Sequence, residues 1–125
     1  MRLYIIRHGE TSWNKAKRLQ GRKDIMLDAD GIRLAEKTGE GMQDIDFDLV
    51  ISSPLIRAKQ TAELVLAGRQ IPMITDKRII EMSFGKWEGE SVRESTVLPA
   101  DYVDKFYHDP YHCPKAPGGE SFQDV

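Results

Sequence analysis

The apolar residues of this chain form short unbroken runs that alternate with stretches of helical spacing. Leu3–Ile6 is continuously apolar, which predicts a strand buried on both faces. Leu49–Ile51 predicts a second buried strand by the same pattern. A third strand region is predicted over Met73–Thr75 and Arg78–Ile80, where apolar and β-branched residues are concentrated.

Two helices are predicted between these strands. Apolar residues recur at helical spacing over Leu27–Met42, and Asp28 stands where an N-terminal cap is needed. Ser52–Pro54 is a helix-start signal, because Ser caps a helix and Pro is tolerated at its first position. This second helix is expected to run to about Ala67 and to end at Gly68.

The last third of the chain carries weaker patterns. Ser91–Glu94 matches a capping box and predicts a helical segment that Pro99 interrupts. Residues 108–119 are typical of a loop. Ser121–Asp124 resembles a further helix start, and the chain ends one residue later. We therefore expect residues 1–125 to be the N-terminal portion of a longer domain.

The alternation of strands and helices predicts an α/β domain with a mainly parallel sheet, and the length suits a single domain over residues 1–125. Ligands bind outside the carboxyl ends of the strands in such sheets. Arg7–Gly9 follows the first strand, whereas Ser52–Ser53 and then Arg57 follow the second. We expect these two groups to meet at the same edge of the sheet.

Composition excludes several classes of function. Hydrophobic residues make up 40% and charged residues 30% of the chain, with a net charge of −2, which is typical of a globular protein without a nucleic-acid or membrane partner. Cys113 is the one cysteine, so the sequence predicts no disulfide framework and a cytoplasmic location. His108, His112 and Cys113 match no standard zinc spacing, so no metal site is predicted.

His8 is the candidate nucleophile. A neutral imidazole can attack phosphorus and hold the group as a phosphohistidine, which divides one difficult transfer into two easier steps. Arg7 beside it disfavours the protonated ring, and Gly9 lets the backbone approach a phosphate. The alternative is a histidine at a strand end that makes an ordinary hydrogen bond.

Arg57 and Glu81 are the other candidate site residues. Arg57 is expected on the first turn of the second helix, where free backbone N–H groups and the helix dipole favour an anion. Glu81 lies between Ile80 and Met82, and a carboxyl among large apolar groups has a raised pKa, as a general acid requires. The alternatives are a solvated helix arginine and an exposed glutamate at a strand end.

Five sequence blocks, in order, resemble the histidine phosphatase superfamily. They are Arg7–Thr11 with Asn14, Gln20–Gly21, Ser52–Ala62, Glu81 with Phe84–Gly85 and Trp87–Gly89, and Pro117–Ser121. The resemblance covers nearly the whole chain. It implies the phosphoglycerate mutase-like fold, which is a three-layer α/β sandwich, and a phosphohydrolase or mutase that needs no metal or other cofactor.

The resemblance also implies roles for individual residues. His8 would accept the phosphoryl group, with Arg7 and Arg57 as phosphate clamps. Glu81 would donate a proton to the leaving group and later activate water. The substrate-binding residues implied are Asn14, Gln20 and Gly21. Residues 84–90 and 117–121 resemble the phosphatase branch more than the mutases, so the first hypothesis is a phosphomonoesterase acting on a small phosphorylated metabolite.

The family's second pocket histidine, which precedes a glycine at the end of a later strand, has no counterpart here. The resemblance places that strand between Leu3–Ile6 and Leu49–Ile51, so we expect both segments to lack a neighbour and the chain to form a homodimer by strand exchange or to be ordered only within a longer protein. Two alternative functions follow. One is a phosphoglycerate-type mutase, and the other is a catalytically impaired fragment that binds phosphate or a protein partner.

Overall fold

The computed structural model describes all 125 residues, which divide into two compact units. The first unit is Met1–Ser12 with Asp24–Ile80, and the second is Trp13–Lys23 with Glu81–Val125. None of the helices is long and apolar enough to span a bilayer. The assignment of residues 1–125 to a single domain stays a prediction.

Four α-helices and two strands are formed. In chain order they are α1 (Ser12–Lys15), α2 (Ala29–Gly41), β1 (Val50–Ser52), α3 (Ile56–Leu66), β2 (Met73–Thr75) and α4 (Tyr102–His108). Short 3₁₀ helices cover Lys77–Ile79, Gly85–Trp87 and Pro110–His112.

Helix α2 begins and ends where the sequence predicts. The Asp28 side chain accepts a hydrogen bond from the Gly31 N–H at 2.8 Å, which satisfies one of the free N–H groups of the first turn. The helix ends at Gly41, and Ala35 and Gly39 are among its buried residues. A Cβ at Gly39 would lie 2.8 Å from the Val65 carbonyl oxygen, so α2 packs closely on α3 at this point. The cap and the small residues thus fix this helix within the first unit.

Strands β1 and β2 pair in parallel, with Ile51 opposite Ile74 in the register. Helix α3 connects them, so β1, α3 and β2 form the β–α–β unit of an α/β fold. Ile51 is exposed although a strand buried on both faces was predicted, because the sheet has only two strands. The predicted α/β class with a parallel sheet is therefore confirmed, with a smaller sheet than expected.

The prediction of a buried strand at Leu3–Ile6 is wrong for this structure. The segment is not part of a strand, and Leu3 and Ile5 are 76% and 88% exposed. A strand needs a neighbour that pairs with its backbone groups, and β1 pairs only with β2. Tyr4 instead contacts Phe47, with the two ring planes perpendicular and the ring centroids 5.5 Å apart.

Helix α3 begins at Ile56, two residues after the predicted start. The Ser53 hydroxyl accepts the Leu55 N–H in a turn and does not cap the helix. The Asp24 carboxylate accepts the Ile56 N–H at 2.7 Å, so a side chain from a preceding loop supplies the first-turn acceptor. The helix ends at Leu66 and is followed by Ala67 and Gly68 in left-handed conformation, as the predicted glycine stop requires.

The predicted strand at Arg78–Ile80 is also wrong, because a 3₁₀ helix covers Lys77–Ile79. Asp76 caps this turn by accepting the Arg78 N–H at 2.8 Å and also binds the Arg78 guanidinium. These two hydrogen bonds lower the pKa of Asp76 to about 2. A local turn held by Asp76 therefore replaces strand pairing at this point.

The second unit is built around an aromatic core. Phe84, Trp87 and Tyr102 are buried together, and Phe106 packs against them from the next turn of α4. Burial raises the pKa of the Tyr102 phenol. The spacing of Tyr102 and Phe106 places both rings on one face of α4, which anchors this helix in the unit.

Helix α4 was not predicted, and the helix predicted at Ser91–Glu94 does not form. The Ser91 hydroxyl accepts the N–H groups of Arg93 and Glu94, and the Ser95 hydroxyl accepts those of Val97 and Leu98. Ser91 and Ser95 thus satisfy the backbone N–H groups that follow them in two separate turns, and these side-chain hydrogen bonds compete with helix formation. The helical segment begins only after Pro99, at Tyr102.

Candidate active site

His8 lies directly after the exposed N-terminal segment and is half-buried. Its Nδ1 is 2.7 Å from the carbonyl oxygen of Gly9. A carbonyl oxygen can only accept a hydrogen bond, so Nδ1 donates, and in the neutral ring the lone pair lies on Nε2. The local geometry thus favours the tautomer that a nucleophile attacking through Nε2 needs.

Thr61 joins the His8–Gly9 loop to helix α3. Its hydroxyl accepts the Gly9 N–H at 2.9 Å and donates to the Arg57 carbonyl oxygen at 2.7 Å. Thr61 is 5% exposed, so both bonds are shielded from water. The loop after Leu3–Ile6 and the helix after β1 therefore come together, although Leu3–Ile6 is not the sheet strand that the prediction assumed. No role was predicted for Thr61 from the sequence, although its place four residues after Arg57 puts it on the same helix face.

Two glycines allow the His8 loop to lie against the N-terminus of α2. A Cβ at Gly9 would lie 2.7 Å from the Gly31 carbonyl oxygen, and a Cβ at Gly31 would lie 2.1 Å from the Glu10 carbonyl oxygen. The same Glu10 oxygen accepts the Asp28 N–H at 3.0 Å. Backbone packs on backbone here, which fixes the position of the loop that carries His8.

The predicted phosphate clamps differ in their surroundings. Arg57 lies in the first turn of α3 and is 1% exposed, which makes it one of the most deeply buried large side chains of the chain. Arg7 is exposed, and Lys59, two residues after Arg57, is half-buried. A buried guanidinium close to a helix N-terminus provides fixed positive charge that is screened little by solvent, as an anion site requires.

The other predicted site residues belong to the second unit: Asn14 is half-buried on α1, and Gln20 and Gly21 are buried. Gly21 has φ +52°, and a Cβ there would lie 2.4 Å from the Glu88 carboxylate. That carboxylate oxygen accepts the N–H groups of Arg22 at 2.9 Å and Phe84 at 3.2 Å. Glu88 thus holds the Gln20–Gly21 turn within this unit.

The expectation that Glu81 lies among large apolar groups is wrong. Glu81 is exposed, and its carboxylate accepts the N–H of Met82 at 3.0 Å. Met82 packs towards the aromatic core of the second unit, whereas Ile79 is itself exposed. The apolar neighbours in the sequence therefore do not surround the carboxyl, and the predicted loss of its hydration does not occur.

Several side chains that could bind a metal have other partners in the structure. His108 pairs with Asp104 and His112 pairs with Asp109, so the two histidines face different partners. Three carboxylate oxygens lie within 4.8 Å of one another, one from each of Glu10, Asp28 and Asp30. Asp28 caps α2 and Asp30 pairs with Arg33, so these acidic groups serve the helix N-terminus.

Replacing Thr61 by valine is expected to destabilise the fold by about 1–3 kcal/mol, because the Gly9 N–H stays buried and loses its acceptor. The same change is expected to slow phosphoryl transfer to His8 by about tenfold or more, because small displacements of a reacting group are costly. Thermal unfolding and a single-turnover transfer assay measure the two effects.

Thr38→Val is the matched control. Its hydroxyl donates to the Leu34 carbonyl oxygen at 2.9 Å, the same bond within a helix, but it accepts none from a distant loop. We expect a change of about 0.5 kcal/mol or less and no change in transfer. Equal effects of the two substitutions would contradict the role given to Thr61.

Comparisons with known proteins identify the family of this chain. A family model described as "Histidine phosphatase superfamily (branch 1)" matches residues 3–125. The uncharacterized phosphatase PhoE of Bacillus subtilis is 39% identical over 103 residues, which are 82% of this chain and 52% of that protein. The chain spans about half the length of the curated relatives it matches, between 43% and 60%.

Solved structures show the same similarity. The alpha-ribazole phosphatase of Shigella flexneri superposes with a TM-score of 0.82 at 37% identity, over 94% of this chain and 58% of that one. A phosphoglycerate mutase of Thermus thermophilus superposes with a TM-score of 0.75 at 30% identity, over 94% and 61% of the two chains. The fold class predicted from the sequence is confirmed by these structures.

Proposed function

Because the chain belongs to branch 1 of the histidine phosphatase superfamily, we propose that it is a phosphomonoesterase acting on a small phosphorylated metabolite, with His8 as the residue that accepts the phosphoryl group. The observation that carries this proposal is the hydrogen bond between His8 Nδ1 and the Gly9 carbonyl oxygen at 2.7 Å. It leaves the lone pair of the neutral ring on Nε2, the atom that would attack phosphorus.

The proposed reaction has two steps. In the first, His8 Nε2 forms a bond to phosphorus, the bond from phosphorus to the ester oxygen breaks, and Glu81 gives that oxygen its proton. In the second, Glu81 takes a proton from water, the water oxygen bonds to phosphorus, and the phosphorus–nitrogen bond breaks. The side chain of His8 is thereby restored, and inorganic phosphate leaves.

Arg57 and Arg7 are proposed to bind the transferred phosphoryl group. The burial of Arg57 in the first turn of α3 supports a fixed electrostatic contribution, and the exposed Arg7 would order itself on the ligand. Asn14, Gln20 and Gly21 are proposed to contact the substrate. The reaction is proposed to need no metal and no other cofactor.

A mutase is the second candidate function, and the similarity to the Thermus thermophilus phosphoglycerate mutase supports it. A mutase returns the phosphoryl group from histidine to a second hydroxyl of the substrate, whereas a phosphatase passes it to water. The alpha-ribazole phosphatase of Shigella flexneri is the more similar of the two structures, at a TM-score of 0.82 against 0.75, which favours hydrolysis.

The third candidate is a chain that binds phosphate or a protein partner with little turnover. It follows from the length of the chain, which covers 52% of the first relative named above. We propose that residues 1–125 by themselves turn over far below the rates of about 1–1000 per second that are usual for enzymes. We also propose that the protein forms a homodimer and that it is located in the cytoplasm.

One set of assays separates these functions. The purified chain is incubated with phosphorylated sugars, alpha-ribazole phosphate and 3-phosphoglycerate, and both inorganic phosphate and 2-phosphoglycerate are measured. Release of phosphate without 2-phosphoglycerate is the expected result. Interconversion of the phosphoglycerates would favour the mutase. Phosphate binding in equilibrium dialysis, without products or phosphorylated protein, would favour the binding fragment and overturn the proposed enzyme.

A further inference from the structure

Arg22 and Glu120 form an ion pair in the second unit, although they are 98 residues apart in the sequence. The Arg22 Nη2 donates to both carboxylate oxygens of Glu120, at 2.8 and 2.9 Å. The Nε of the same guanidinium donates to the backbone carbonyl oxygen of Glu81 at 3.2 Å. One side chain thus binds Glu120 and the peptide group of the proposed proton donor.

Glu120 binds the backbone two residues after Glu81, at Ser83. Its carboxylate accepts the Ser83 N–H at 2.9 Å, and its own backbone N–H donates to the Ser83 carbonyl oxygen at 2.8 Å. The segment Glu81–Ser83 is therefore fixed at its first residue by Arg22 and at its last residue by Glu120. The Arg22 N–H also donates to Glu88 at 2.9 Å, which fixes the backbone of Arg22 itself.

The partial exposure of this pair argues for a positioning role. The side chains of Arg22 and Glu120 are 41% and 27% exposed, and ion pairs at that exposure contribute little to the free energy of unfolding. The Glu81 carboxylate is exposed, and the hydrogen bond that it accepts comes from the N–H of the neighbouring Met82. The direction of its side chain therefore depends on where the backbone of residues 81–83 is held.

We infer that Arg22 and Glu120 are positioning residues that clamp the Glu81–Ser83 backbone so that the Glu81 carboxyl can deliver its proton to the leaving group. This inference rests on the proposed function, because it takes Glu81 as the proton donor. Arg22 and Glu120 were not predicted from the sequence to have a role in the site. Arg22 and Glu120 act through Glu81 and touch no reacting atom.

The dependence of the rate on the leaving group tests the inference. An alkyl phosphate needs a proton on its departing oxygen, whereas p-nitrophenyl phosphate releases a stabilised phenolate without one. Single-turnover transfer of phosphate to the protein is measured for both esters by rapid quench. For Arg22→Gln we expect a loss of about 10- to 100-fold with the alkyl ester and less than about threefold with the nitrophenyl ester.

Three variants complete the design. Glu120→Gln removes the ion pair with little change in volume and is expected to show the same selective loss, whereas Arg22→Lys is expected to restore part of the rate. Arg18→Gln is the matched control, because Arg18 is exposed in the same unit and donates to the Gly89 carbonyl oxygen at 2.6 Å, with no hydrogen bond to residues 81–83. We expect less than about a twofold change for it with either ester.

Glu81→Gln separates failure of the inference from failure of the proposed function. A selective loss with Glu81→Gln, but none with Arg22→Gln and Glu120→Gln, would overturn the positioning role and leave the function standing. The absence of a selective loss with Glu81→Gln, or of transfer from either ester, would overturn the function and the inference with it. Equal losses with both esters in the Arg22 and Glu120 variants would indicate a merely structural contact and would also overturn the inference.

Discussion

Replacing His8 by glutamine is expected to lower the rate of phosphoryl transfer by about a thousandfold or more, because the amide offers no nitrogen lone pair to phosphorus. Glutamine preserves a donor that can bond to the Gly9 carbonyl oxygen, which in the native chain accepts from His8 at 2.7 Å. Phosphate release and single-turnover transfer, both measured with the same ester, quantify the effect. Thermal unfolding should differ little from that of the unsubstituted chain.

His108→Gln and His112→Gln are the matched controls for this substitution. Both histidines are exposed and pair only with the nearby carboxylates of Asp104 and Asp109. We expect the two variants to transfer phosphate within about twofold of the unsubstituted rate. Transfer by His8→Gln at a tenth of the native rate or above, or a large loss in either control, would conflict with His8 as the acceptor.

Arg57→Ala is expected to reduce kcat/KM by the equivalent of about 2–4 kcal/mol, whereas Lys59→Ala should be nearly silent. The two cations lie on the same helix, but Arg57 is 1% exposed and Lys59 is half-buried. A buried guanidinium keeps its full electrostatic effect on a bound anion, and a solvated ammonium is screened. Steady-state kinetics with one phosphomonoester measures both variants.

Because Arg57 is buried, its removal can also disturb packing, and a second variant separates the two effects. Arg57→Lys keeps the charge and most of the apolar stem but loses the planar pair of donors. We expect it to fold like the unsubstituted chain and to recover only part of the lost kcat/KM. Comparable losses for Arg57→Ala and Lys59→Ala in folded protein would refute the phosphate site described for α3.

The parts of the fold that were predicted correctly are those decided by local sequence. Helix α2 begins after Asp28 because that carboxylate satisfies its first turn, and the pattern needed to recognise this spans only four residues. Strand β2 and helix α3 likewise follow from local apolar spacing and glycine stops. The His8 loop meets α3 as expected, but through the hydrogen bond between Gly9 and Thr61, because Leu3–Ile6 is not a strand of the sheet on which the prediction relied.

The errors arise where a segment depends on distant partners. Leu3–Ile6 has the composition of a buried strand, but composition does not supply the neighbour that would pair with it. Helix α4 was missed because its stability comes from Tyr102 and Phe106 packing on Phe84, a contact that crosses a long loop. The exposure of Glu81 was missed because apolar sequence neighbours need not surround a side chain in space.

The contacts that organise the candidate site could not be predicted from the sequence patterns either. Thr61 meets Gly9 across 52 residues, and Arg22 meets Glu120 across 98. Motif order indicates which residue types are present, but it does not show which of them share hydrogen bonds. For that reason Arg57 and His8 could be named as candidates from the sequence, whereas the contacts of Thr61, Arg22 and Glu120 are visible only in the structure.

Direct mapping of the transferred phosphate tests whether His8 is the phosphoryl acceptor. The chain is incubated with an isotopically labelled phosphomonoester and quenched in base, where the phosphorus–nitrogen bond of phosphohistidine survives. Peptides are then sequenced by mass spectrometry, and the ring position is read by ³¹P NMR. We expect acid-labile phosphate on His8 at Nε2, because Nδ1 donates to the Gly9 carbonyl oxygen. Label on another residue with none on His8, or phosphate on Nδ1, would contradict it.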